Sequence, residues 1–440
     1  MAAAPNNTPK SFGHPSVARA GGIEDIVISK YNTLNGTYHS AKTTVVPSGA
    51  FRGKTAQAGG LRLDLKNIIG TLDGPAFAYI TGTDDQNRLI FVGGNGNVIY
   101  PSSGGSATPV PLNADAAIPL GEFDDVTSVT LPTAIKSGRV YFSTNKIQFF
   151  MVNHGGQDSL VQPDPTSLSD PNATTSWGFV EFTYGDDGSL YANVSYVDFV
   201  GLSAGMSLTV TDGTGTQLVK SIDAGRNMGY EMAVAAYLDG FPWDQLTVVT
   251  NTSEHWIRTV SPNLRQDLFG DYFRTYIDDV WNHYSSTPLT IDGQGASGVG
   301  QVNCQVSGDR LNCDGGLSYA KPSTADIWGC NSGPFANEGS AQNKVLVPRI
   351  CAAFNRITLL LDGGNVQPSL DSSHYYGNFQ GNRTHQYAKF VHFLETDGKG
   401  YAFSYDDVTP TGQPDVSGKV TSPHPGTWTV YCGGYYEQNE

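Results

Sequence analysis

The chain has 440 residues and a formal net charge of −15, with only 15% of its residues charged. That length accommodates one large domain or two ordinary ones with real cores, and the acidic balance argues against a nucleic-acid partner, whose phosphates need Lys and Arg. No apolar run approaches the ~20 residues of a membrane span, so no membrane partner is expected, and the abundance of Gly, Ser, Thr, Asn and Tyr suits a β-rich extracellular protein.

Residues 1–22 carry Pro, Asn, Ser and Ala without periodicity and are expected to be disordered. The opening MAAAPNNTPK has no signal-peptide core. The reading is a mature secreted protein given a start Met, with an intracellular form as the alternative. Asn-x-Ser/Thr sequons stand at Asn6, Asn35, Asn172, Asn193, Asn251 and Asn382, of which Asn193 lies in an expected core strand.

From Asp25 to about Ile222 the pattern is short strands separated by turn signals: DIVISKY, FAYITGT, LIFVGG, NVIYPS, RVYFSTN, KIQFFMV and SLTVTD. Strands at this spacing suggest a sandwich or barrel. GNGNVI, from Gly94, partly mimics a dinucleotide loop but lacks the third Gly and a following helix, so a hairpin turn is expected there. DGTGT (Asp212–Thr216) reads as another turn.

The stretch Trp177–Leu202 is the most informative. Two apolar, aromatic runs flank the turn Gly185-Asp186-Asp187-Gly188-Ser189, and each run holds one isolated carboxylate, Glu181 and Asp198. An acid among Phe179, Val180, Phe182, Val197, Phe199 and Val200 is costly to bury without a partner or a task. Glycoside hydrolysis requires a pair of carboxyls, ~6.5–9.5 Å apart when the enzyme inverts and ~5 Å apart when it retains. If Glu181 pairs with Val194, Asp198 shares its face four residues further along the hairpin. If Glu181 pairs with Asn193, the faces differ and a bulge is needed. The geometry permits an inverting pair and disfavours the ~5 Å spacing of a retaining one. The structural alternative is that both acids are held by hydrogen bonds and do no chemistry. The apolar neighbours of Glu181 predict a raised pKa there. Thr183, two residues on, faces the same groove and can bond a sugar hydroxyl, or it reflects strand propensity alone. GLSAG (Gly201–Gly205) matches a nucleophile elbow built on Ser203, but strand-like MSLTVTDGTG follows where a helix is required.

Arg258, in WIRTVSPN, is a cation in an apolar context and is expected to pair with a cleft acid rather than form an ordinary salt bridge. Apolar residues from Leu268 to Tyr284 recur at i, i+3 and i+4, which predicts an amphipathic helix with Asp267 as its N-cap. Weaker helical patterns cover Met228–Leu238, Pro348–Arg356 and His385–Glu395. Strands are expected again in GYAFSYDDV and TWTVYCG. Cys304 and Cys313 bracket a short hairpin loop, and Cys330 and Cys351 a polar loop before a helix. These are paired 304–313 and 330–351, leaving Cys432 free, an awkward odd count for a secreted chain. No CxxC pair and no HExxH motif occurs, so neither a metal nor another cofactor is expected. Trp177, Trp243, Trp256 and Tyr191 are candidates for stacking on sugar rings, though any one of them is more often core.

The Trp177–Leu202 segment, with FAYITG (Phe77–Gly82), SGRVYFS (Ser137–Ser143), DIWGCNSGPF (Asp326–Phe335), CAAFNR (Cys351–Arg356) and YAFSYDD (Tyr401–Asp407), resembles glycoside hydrolase family 64, the laminaripentaose-producing β-1,3-glucanases. The likeness runs in order over nearly the whole chain. YAFSYDD with HPGTWTVYCG (His424–Gly433) also resembles the end of a thaumatin-like protein. The resemblance implies a mainly β fold: a thaumatin-like β-sandwich or barrel domain (23–222 and 400–440), an inserted mixed α/β domain (223–399), and a wide groove between them. It implies Glu181 as general acid and Asp198 as general base of an inverting endo-β-1,3-glucanase, releasing short oligosaccharides, chiefly the pentaose. It also implies that Asp406 and Asp407 line an acidic cleft; their local alternative is a turn-capping pair. Ser203 stands where the family pattern leads one to expect Pro. A β-1,3-glucan is the expected partner of a monomer. The competing reading from another class is a thaumatin-like protein that binds the glucan without cutting it.

Overall fold

The computed structural model describes residues 44–46, 60–69, 75–211, 215–222, 228–249, 256–377 and 383–434. The expected strand DIVISKY, the segment 1–22 and the sequons at Asn6, Asn35, Asn251 and Asn382 lie outside them. The described residues are mainly β, with a few helices.

Five strands define the part of the largest sheet that matters for function: β1 (Phe77–Thr83), β2 (Ile135–Ser143), β3 (Trp177–Tyr184), β4 (Leu190–Val194) and β5 (Lys419–Ser422). They neighbour one another in that order, all antiparallel. Beyond β1 the sheet continues through Leu89–Val92, Val98–Tyr100 and Thr44–Val46. The turn Gly185–Ser189 joins β3 to β4 where it was expected, closed by the Gly185 amide on the Ser189 carbonyl at 2.8 Å. GNGNVI likewise forms the turn between Leu89–Val92 and Val98–Tyr100 and runs into the second of these strands.

A five-stranded sheet packs against one face of the large one. Its order is Thr216–Val219, Ala204–Val210, Pro425–Cys432, Leu61–Asn67 and Val126–Leu131. Leu61–Asn67 and Pro425–Cys432 pair in parallel, so early and late parts of the chain share one sheet. Alternation along the strands fixes the two faces. Val180, Phe182 and Tyr184 of β3 point inward and are buried, and Phe182 meets the fully buried Trp428 at 5.1 Å between ring centroids. Trp428→Ala should therefore cost about 3–5 kcal/mol, read as a lowered midpoint in denaturant unfolding; a change within ~0.5 kcal/mol would contradict this packing.

The remaining strands form smaller sheets. In one, Phe199–Val200 pairs with Trp256–Val260. In another, Leu289–Asp292, Gln301–Ser307 and Arg310–Cys313 lie side by side, with Cys304 directly opposite Cys313 and bonded to it. Cys330 is bonded to Cys351, and Cys432 is free and buried. The weaker helical patterns form helices at Met228–Asp239, Ala341–Asn355 and Gln386–Leu394.

Two expectations need correction. The amphipathic helix begins at Arg274, not at Leu268; residues Pro262–Leu268 form a kinked 3-10 turn. Asp267 is ion-paired to Arg265 at 3.0 Å and caps nothing. The stripe 268–273 is apolar because Phe269, Tyr272 and Phe273 pack around Trp328, a contact that helical spacing alone mimics. GYAFSYDDV is not a strand either: it makes one bridge at Tyr401 and then turns. Its local apolar alternation is overridden by the charged contacts of Asp406 described below.

Candidate active site

The outward face of β1–β4 is polar. Register places Thr81, Arg139, Glu181 and Asn193 opposite one another in one row across the four strands. Thr183 and Tyr191 form the next pair along. These residues are the floor of a groove of about 780 Å3. Gln157–Leu160 and Gln162 wall it on one side, with Tyr401, Ser404, Tyr405 and Asn331 on another.

Glu181 pairs with Asn193, the register in which a regular hairpin would send Asp198 to the other face. The chain resolves this by leaving the strand. β4 ends at Val194, Ser195 bridges to Tyr401, and the backbone bends through Val197 and Asp198 before entering the Phe199–Val200 strand of a different sheet. The Ser261 amide donates to the Asp198 carbonyl at 2.8 Å and fixes the bend. Glu181 and Asp198 thus line the same groove from two kinds of local structure, a strand and a bend.

Arg139 joins them electrostatically. Its Nε and Nη2 donate to Oε1 of Glu181 at 3.1 and 2.9 Å. Its Nη1 donates to Tyr141 Oη at 3.3 Å and to Gln162 Oε1, which also accepts from Tyr141 Oη. The guanidinium lies over the Phe179 ring at 4.5 Å. Glu181 keeps a side chain 36% exposed, open to the groove. Val180 and Phe182, its apolar neighbours in sequence, point through the sheet to the other side and do not surround its carboxyl. Burial instead pushes the Asp198 carboxyl above its ordinary range; Arg139 pulls it down and Glu181 pushes it up again. Sequence reasoning missed Arg139, although a charge leading directly into the apolar run Val140–Phe142 is a signal of the kind that marked the acids.

Thr183 and Tyr191 line the groove as well. Arg258 does not. It is 1% exposed and donates to the carbonyls of Ala173 and Thr175 at 2.6 and 3.2 Å, clasping the loop before β3. Burial pulls its guanidinium down to about 10, against Asp170 and Asp164. A cation in an apolar strand found backbone carbonyls, not a cleft acid. Trp177 and Trp243 are buried in aromatic clusters away from solvent.

Asp406 and Asp407 stand behind the groove wall. Asp406 is fully buried, bonded to Arg356 at 3.1 Å, to His392 at 2.9 Å and to the Ala402 amide at 3.0 Å. Burial alone would raise its carboxyl, but His392 and Arg356 overcome this and hold it below its usual range. Asp407 accepts from the hydroxyl of Tyr401, a groove residue, at 2.9 Å. Neither aspartate lines the groove itself, because each is turned toward the protein by those partners. Asp406→Asn leaves Arg356 and His392 facing a neutral amide and should cost about 3–5 kcal/mol, measured by unfolding near neutrality. As a carboxyl with a depressed folded pKa, Asp406 contributes stability above its unfolded range, and this is lost as pH falls through the folded value. The variant's deficit should therefore shrink in acid; a deficit unchanged by acid would contradict this assignment.

Ser203 of GLSAG is followed by strand Ala204–Val210, with no helix to complete an elbow. Among the described residues, no group of three or more His, Cys, Asp or Glu side chains is placed to hold a metal ion.

A mainly β chain with an open groove and two carboxyls on a polar floor has the make-up of a glycoside hydrolase. The β-1,3-glucanase family model, glycoside hydrolase family 64, matches residues 59–432, and the chain belongs to that family. A glucan endo-1,3-β-glucosidase of Cellulosimicrobium cellulans is 28% identical over 410 residues, covering 89% of this chain and 71% of the relative. One of Arthrobacter sp. (strain YCWD3) matches to the same extent. Among solved structures, a laminaripentaose-producing β-1,3-glucanase in complex with laminaritetraose superposes with a TM-score of 0.71 at 24% identity, covering 86% of this chain and 99% of that one. The β-1,3-glucanase domain from Clostridium beijerinckii gives 0.65 at 22% identity, with the same coverage of the two chains. These structures share the fold.

Proposed function

We propose that this protein is an inverting endo-β-1,3-glucanase in which Glu181 is the general acid and Asp198 the general base. The observation that carries the reading is the convergence of these two carboxyls, one from a strand and one from a bend, on one groove in a chain of this family. An inverting reaction needs one carboxyl to protonate the leaving oxygen and another to activate water on the opposite face of the sugar. The assignment of the two roles rests on family likeness. With Asp198 as base, its elevated carboxyl sets the acidic limb of the pH profile. Thr183 and Tyr191 offer a hydroxyl and a ring to the bound chain. The neutral glucan meets no net charge that the protein's own −15 would repel.

The same reading takes the two packed sheets as a thaumatin-like β domain of 23–222 and 400–440, with 223–399 as the inserted α/β domain. It takes the protein as a secreted monomer and laminaripentaose as the main product. The test is product analysis on linear β-1,3-glucan with the anomeric proton followed by NMR. Initial α-anomer supports inversion. Initial β-anomer means retention and overturns the mechanism. Glucan bound but never cleaved means a binding protein.

A further inference from the structure

Asn193 opens a sequon but sits in β4 at 6% exposure, in the same cross-strand row as Glu181. Burial in a central strand removes it as a glycosylation acceptor. Yet its carboxamide meets no hydrogen-bond partner among the described residues, and it lines the groove floor. An amide with two donors and two acceptor sites that no protein group engages, on the floor of a groove, is available to bond a ligand there. Directly opposed residues on antiparallel strands carry Cβ atoms ~4.5–5.5 Å apart, so the Asn193 and Glu181 side chains leave the sheet next to each other on the groove floor.

We propose that Asn193 is a substrate-binding catalytic residue that holds the 2-hydroxyl of the glucose whose bond is cut. The inference rests on the glucanase reading above and adds one group to it. Glu181 acts at the scissile bond, and the 2-hydroxyl is the ring substituent next to that bond. A group one strand over from Glu181 is therefore placed to reach it. The carboxamide both donates and accepts, which suits a hydroxyl, and its neutrality leaves the charges of Glu181 and Asp198 undisturbed. Hydrogen bonds to this hydroxyl strengthen as the oxocarbenium-like state forms, so the contact acts on kcat more than on KM.

The experiment uses the full chain, wild type and Asn193→Ala. The substrates are an aryl glycoside of a short β-1,3-glucan oligosaccharide and its analogue lacking the 2-hydroxyl on the sugar bearing the aryl group. The readout is the ratio of kcat/KM for hydroxyl over deoxy substrate, in which intrinsic reactivity cancels between the two proteins. The ratio is expected to fall about 10–100-fold in the variant. Equal ratios mean that the amide acts elsewhere and overturn the proposal. If Asn193→Ala does not fold, Asn193→Ser carries the same comparison: a fallen ratio supports the contact and an unchanged one overturns it. A wild type that leaves the hydroxyl substrate uncut fails the glucanase reading itself, whereas an active wild type with an unchanged ratio overturns only the role of Asn193.

Discussion

Glu181→Gln and Asp198→Asn should each lower kcat on linear β-1,3-glucan by about 10^2–10^4-fold, with glucan binding largely retained. Both changes are nearly isosteric and remove the ability to hold or deliver a proton. The two variants should separate on a substrate whose leaving group needs no protonation, such as a dinitrophenyl glycoside. Glu181→Gln should recover most of its activity there, because the step it serves has been bypassed. Asp198→Asn should not, since water still needs a base. The opposite pattern would exchange the two roles while preserving the pair. Recovery in neither variant would remove Glu181 from protonation altogether, and wild-type rates in both would return the two acids to a structural role. The comparison matters because Arg139 sits on Oε1 of Glu181 while burial elevates Asp198. That electrostatic arrangement does not by itself assign the roles.

Much of this site could be read from the chain, and the parts that could not share a cause. Alternation found β3 and β4 and their turn, because period-two patterning and turn chemistry are local. It flagged Glu181 and Asp198 because a charge in an apolar run is anomalous at any register. It did not fix which residue faces Glu181, since register depends on neighbouring strands: β3 is held between β2 and β4 and β4 between β3 and β5, contacts up to about 230 positions apart in sequence. The bend that brings Asp198 back to the groove depends on Ser261 and Tyr401, which are also distant in sequence. Arg258 and Asp406 show the same limit from the other side. Both are charges in apolar surroundings, as the catalytic candidates are, yet backbone carbonyls complete one and Arg356 with His392 the other. Composition marks such residues; only packing decides whether the partner is protein or substrate.

Arg139→Met should have the second largest effect, and its signature is a displaced pH profile. The guanidinium lowers the Asp198 carboxyl against the upward push of burial and Glu181. Without it, the Asp198 carboxyl rises further. A general base works only when ionised, so activity is lost as pH falls through its pKa. Removing the cation must therefore move the acidic limb of kcat to higher pH. At neutral pH kcat should also fall by about 10–100-fold, since Glu181 loses two charge-assisted hydrogen bonds that hold its carboxyl in place. Arg139→Lys discriminates charge from geometry. An ammonium keeps the field but not the planar fork that reaches Glu181, Tyr141 and Gln162 together. Its limb should stay near the wild-type position while kcat remains depressed. A limb that moves to lower pH in Arg139→Met, or does not move, would mean that Asp198 is not the group whose ionisation governs the acidic side. The base would then have to be sought elsewhere in the groove.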